Sequence, residues 1–130
     1  MSRDAWWPDP RSVLTDRCRS DLENDGGFRD LFDSLIRSGP RGVPERRRVA
    51  SMAGRSESTF RRHFPAVAGM AWRSFLTAWR VQCGRVMMRR PLAFVKETAR
   101  ACGFRSAQGF SRAYRARFGE PPRRRKREAD

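Results

Sequence analysis

Arginine and aromatic residues alternate in two stretches of this chain, and the spacing is the same in both. After Ser56 come Phe60, Arg62, Phe64 and Gly69; after Ser106 come Phe110, Arg112, Tyr114 and Gly119. Aromatics four positions apart share one side of a helix. They take the inner side and leave the intervening residues outward: Glu57, Ser58, Arg61 and Arg62 in the first copy, Ala107, Gln108, Ser111, Arg112 and Arg115 in the second. The chemistry open to such a set is recognition rather than bond making. Arg offers a flat fork of donors that fits a phosphate or the O6 and N7 edge of guanine, and Gln can pair with N6 and N7 of adenine.

Bond-making chemistry finds little support. The sequence holds no carboxylate pair, no nucleophile with a base beside it and no phosphate loop, and His63 is its only histidine. An enzyme is therefore not expected, nor is a cofactor. Cys18, Cys83 and Cys102 are odd in number and widely spaced, without a CxxC or a histidine cluster, which argues against a disulfide framework and against a metal site. Cys83 and Cys102 fall on apolar stripes and are expected in the core. His63 is expected to be an exposed bystander.

The formal charge is +15, divided unevenly: residues 1–40 sum to −2 and residues 41–130 to +17. A field of that kind calls for a polyanion, and nucleic acid is the usual one. No apolar stretch approaches the roughly 18 residues of a spanning helix. The N-terminus, MSRDAWWPDP, lacks the pattern of a signal peptide. A soluble, cytoplasmic chain with no membrane partner is expected.

With 130 residues there is room for one compact domain or two small ones sharing a core. Residues 1–26 read as a poorly ordered arm, with a short helix allowed over 12–22. Trp6 and Trp7 belong to no helical pattern, so they either fold back onto the domain or dock a partner. Phe28, Leu31, Phe32, Leu35 and Ile36 have helical spacing before Gly39-Pro40 stops it. Between the two copies, Trp72, Phe75, Leu76, Trp79, Cys83, Val86 and Met87 step by three or four until Pro91, which predicts a long helix with both tryptophans in its core. No stretch alternates as a strand does, so the fold class is all-α.

Each copy also carries an earlier half. Ala50 precedes Gly54 by four residues and Ala99 precedes Gly103 by four. Helix, glycine turn, capped helix is the grammar of the helix-turn-helix, in which the second helix is offered to a major groove. Over roughly residues 28–125 the chain resembles the DNA-binding domain of the AraC/XylS transcriptional regulators. The resemblance rests on VASMAGRSESTFRRHF, on AGMAWRSFLTAWRVQCGRVMM and on VKETARACGFRSAQGFSRAYRARFGEPP, in that order. It implies about seven helices: a first helix-turn-helix subdomain over 27–70, a linker helix over 71–90, a second subdomain over 91–122 and a basic tail over 123–130. The family positions imply that Ser58, Arg61 and Arg62 face bases or phosphates in one major groove of double-stranded DNA. Gln108, Ser111 and Arg112 do the same in the next groove, while Arg105 and Arg115 position the backbone. RNA polymerase is the further partner that the resemblance implies.

Several residues depart from the family pattern. Thr98 stands where an Ile is usual, and Gly84 and Gly109 lie inside helices at a cost of about 1 kcal/mol each relative to Ala, although close packing would account for Gly84. Pro65 should end or kink the first recognition helix, and Arg125 replaces a closing aromatic. The forty residues ahead of the repeat are too few for the sensing domain such regulators usually carry. The chain is then a stand-alone regulator or a family remnant. The alternative function is a regulatory interaction protein or a degenerate family remnant with weak, largely nonspecific nucleic-acid binding, and the basic tail would add phosphate contacts without specificity.

Overall fold

The computed structural model describes residues 6–123. Among these, seven α-helices and no strands form two small cores joined by one long helix. The helices are α1 (Asp16–Glu23), α2 (Gly26–Ser38), α3 (Arg46–Met52), α4 (Glu57–Ala68), α5 (Trp72–Met88), α6 (Val95–Ala101) and α7 (Ala107–Phe118).

Local chemistry sets the boundaries of the two repeated helices. Ser56 Oγ accepts from the Thr59 amide at 3.3 Å and Ser106 Oγ accepts from the Gly109 amide at 3.0 Å, satisfying N–H groups that a helix leaves without partners. At the other end Gly69 and Gly119 are left-handed and return their amides to the carbonyls of Pro65 and Arg115. The turns that precede the two helices are also alike, with Gly54 at φ +70° and Gly103 at φ +93°. The internal repeat is thus a repeat of structure.

Phe64 sits at the centre of the first core. Its ring lies 5.7 Å from Phe28, 5.4 Å from Phe60, 5.2 Å from Trp72 and 5.6 Å from Phe75, mostly in the edge-to-face arrangements that aromatic quadrupoles favour. These contacts lock α2, α4 and the start of α5 together. The second core is smaller: Val81 and Met88 of α5, Ala99 of α6, and Phe110 and Tyr114 of α7. At 1.5 Å per residue, α5 is a rod of roughly 26 Å that serves both cores.

Two expectations are corrected. Residues 6–26 are not a loose arm. Residues Pro10–Val13 form a 3-10 turn, α1 follows with Thr15 as its N-cap, and Leu14 and Leu22 are buried. The Trp7 indole donates to the Ile36 carbonyl at 2.8 Å, and the Trp79 indole donates to the Pro8 carbonyl at 2.9 Å. Arg11 ties the segment down through Glu23 at 2.6 Å and Asp33 at 2.8 Å. The helix therefore starts at Asp16 rather than at residue 12, and Trp7 folds back onto the domain. Residues 1–5 lie outside the described residues.

Pro65 does not end α4, which continues to Ala68. Proline lacks an amide and so forgoes one bond to the preceding turn. Its neighbours Phe64 and Ala68 are buried in the first core, and that packing holds the helix through the gap.

Candidate nucleic-acid interface

Each candidate contact residue depends on how firmly its helix is held. For α4 the holder is Arg55, in the turn just ahead of it. Its guanidinium pairs with Asp25 at 2.5 Å, donates to the Ala53 carbonyl at 3.0 Å and to His63 Nδ1 at 3.3 Å, and lies 3.9 Å above the Phe28 ring. One side chain therefore joins the start of α2, the helix-turn-helix turn and the middle of α4. Burial alone would raise the Asp25 pKa. The hydrogen bond from Arg55, the Phe28 amide and the Arg55 charge outweigh it and hold the carboxyl below its usual range.

The second motif is seated on α5. Gly84 is buried, and a Cβ there would overlap the Phe110 ring, so α7 approaches the linker helix closely only because residue 84 has no side chain. Close packing is the reason for that glycine. A Cβ on Gly109, in contrast, would meet Ser106 Oγ at 3.3 Å and nothing else within 4 Å, so its place in α7 has no packing reason. Thr98 is 1% exposed, and among the described residues no buried side-chain nitrogen or oxygen lacks a hydrogen-bond partner.

Ser58, Arg61 and Arg62 are exposed along α4. On α7, Gln108, Arg112 and Arg115 are exposed and Ser111 is half-buried, with Arg105 exposed in the turn ahead. None of Arg61, Arg62, Arg105, Arg112 and Arg115 takes part in the ion pairs of the described residues, which engage Arg11, Arg19 and Arg55 instead. In the two outward sets the arginines outnumber the single carboxylate, Glu57, so both faces keep a positive balance of the kind a phosphate-facing surface needs. His63 is exposed but not idle, since it accepts from Arg55.

The structure adds cations that the sequence reading passed over. Lys96 and Arg100, one turn apart on α6, line a concavity with Arg105 and Ser106 at the start of α7. Arg46, Arg47 and Arg48 are exposed on α3. The four-residue step from Lys96 to Arg100 was a legible signal; Arg55 offered none, because its partners come from α2 and α4. From residue 124 the basic tail, with Arg125, lies outside the described residues.

Among the described residues no group of three or more His, Cys, Asp or Glu side chains could hold a metal ion, and no helix is long and apolar enough to cross a membrane. Burial and the neighbouring Cys102 push the Cys83 thiol far up, and burial pushes Cys102 up to about 12, which marks both as core residues.

A family model described as a helix-turn-helix domain matches residues 49–128, more than half of the chain. No curated protein matches the chain. Among solved structures, a transcriptional regulator of the AraC-type DNA-binding domain-containing proteins from Chromobacterium violaceum is similar with a TM-score of 0.68 at 21% identity, over 77% of this chain and 88% of that one. The DNA-binding domain of AdpA, a global transcriptional factor solved in complex with a target DNA, is similar with a TM-score of 0.61 at 23% identity, over 83% of this chain and 87% of that one. With two capped helix-turn-helix units on one linker helix, a matching family model and these two neighbours, the chain belongs to the helix-turn-helix family as a DNA-binding domain of the AraC/XylS regulators.

Proposed function

We propose that the chain reads a specific double-stranded DNA site by placing α4 and α7 in successive major grooves. The observation that carries this reading is the pair of outward arginine faces, each on a serine-capped helix, whose arginines enter none of the ion pairs of the described residues. The linker rod plus the width of a flanking helix is of the order of one DNA turn, about 34 Å. A similar domain solved with its target DNA supports the same reading. Arg62 and Arg112 serve as base readers with Gln108, while Ser58, Ser111 and Arg61 face bases or phosphates. Arg105 and Arg115 hold the backbone. Control of transcription through RNA polymerase belongs to the same proposal and is supported by family membership alone.

Selection from a random duplex library tests the reading. Arg62→Ala and Arg112→Ala are expected to weaken the selected duplex by about 1–3 kcal/mol while barely changing a scrambled one. Arg105→Ala is expected to weaken both alike and to lower the salt slope by about one. Equal losses on every duplex for Arg62→Ala and Arg112→Ala would rule out base reading by these residues.

A further inference from the structure

The two motifs are held together by more than their covalent linker. Cys102, which ends α6, belongs to the first core with Trp79 and Cys83, and Phe104 packs against both cores. The turn of the second motif is thereby fastened to the first subdomain. At the fastening, Arg80 of α5 donates from Nε to the Pro40 carbonyl at 3.1 Å. A Cβ on Gly103 would come within 2.7 Å of Arg80 Nε and 2.8 Å of the Pro40 oxygen, so only glycine lets this turn press so closely on the guanidinium.

Nothing in a helix-turn-helix demands that pressure. The corresponding Gly54 has open space where its Cβ would be. Arg80 is also an expensive choice: it is half-buried, burial lowers its pKa, and it forms no salt bridge among the described residues. An apolar side chain of similar length would avoid that desolvation cost. What it would not supply is a directional bond to a fixed carbonyl.

Pro40 is a well-anchored partner. It follows α2 directly, and α2 grips α4 through Phe28 and Phe32 against Phe64. The Trp7 ring covers Gly39 so closely that a Cβ there would lie 2.9 Å from it. A continuous path of packed groups therefore runs from α4 through α2 and Pro40 to Arg80, and on to the turn that launches α7.

We propose that Arg80 is a positioning residue for two-groove recognition: wedged between the Pro40 carbonyl and the Gly103 turn, it sets the angle and separation of α4 and α7, and so the number of base pairs required between the two half-elements. This rests on the reading that both helices enter DNA. One inserted base pair shifts the second half-element by about 3.4 Å and rotates it by roughly 35°, which a braced pair of helices cannot follow.

The test has an arm without DNA. Spin labels on Ala66→Cys and Ala116→Cys, in a Cys18→Ser background, report the distance between the recognition helices. The distance distribution is expected to be narrow with Arg80 present and at least about twice as wide in Arg80→Met. Unlabelled proteins are then titrated with the selected duplex carrying one or two extra base pairs between its half-elements. The parent chain should lose at least about tenfold per insertion, and Arg80→Met under about threefold. Should Arg80→Met fail to melt cooperatively, Arg80→Lys, which keeps the charge and a donor, is expected to show the same changes at smaller size. An unchanged distance distribution, or an unchanged insertion penalty in a folded variant, overturns the proposal. A widened distribution with a parent chain that selects no duplex refutes the two-groove reading and the spacing claim with it, while upholding the brace.

Discussion

The ring of Phe110 lies directly on the bare backbone of Gly84. Both residues are buried, and the contact joins the linker helix α5 to α7.

Gly84→Ala therefore sets two effects against each other. Helix propensity favours alanine by about 1 kcal/mol. Overlap with a fully buried ring costs about 1–3 kcal/mol and, with Phe110 at 0% exposure, has no outlet. A net loss of up to about 2 kcal/mol is expected in urea unfolding. Gly109→Ala, where only Ser106 Oγ must give way, is expected to stabilise by up to about 1 kcal/mol. Stabilisation by Gly84→Ala would show that the ring has room to move.

The Asp25–Arg55 pair predicts an acid limb. The folded carboxyl lies below its usual range, so the pair's contribution is complete above the unfolded pKa of about 3.9. It is lost as pH falls through the lower folded value. Asp25→Asn keeps a capping oxygen for Phe28 but loses the charge. It is expected to lower stability near neutrality by about 1–2 kcal/mol and to flatten the acid limb of a melting-temperature profile.

The N-terminal segment should matter to stability. Trp7→Ala removes the ring against Gly39 and the bond to Ile36, and a half-buried indole lost in this way is expected to cost about 2 kcal/mol. Deleting residues 1–14 also removes the acceptor for Trp79, so the loss should be larger and the tryptophan emission should move to longer wavelength. An unchanged melting midpoint after the deletion would mean that the segment only rests on the surface.

Thiol chemistry gives an independent check on packing. Cys83 and Cys102 are buried with raised pKa values, whereas Cys18 is half-exposed. In native protein at about pH 8 an alkylating reagent should modify Cys18 alone, with the other two reacting only after denaturation. Modification of Cys102 at a rate close to that of Cys18 would contradict the seating of the second motif on the first core.

Read alone, the residues already contained the repeat. Serine caps, glycine turns and four-residue aromatic steps act over one or two helical turns, so α4 and α7, the outward set from Ser58 to Arg115, and the long α5 were all legible locally. The braces were not. Trp79 meets Pro8 across 71 positions, Arg80 meets Pro40 across 40 and Arg55 meets Asp25 across 30. A polar side chain's own spacing says nothing about a partner so distant. The same holds for residues 6–26, whose few apolar side chains become a core only when α2, α4 and α5 supply the other walls. Pro65 teaches the converse: its local rule was sound, and burial of Phe64 and Ala68 on either side outweighed one missing hydrogen bond.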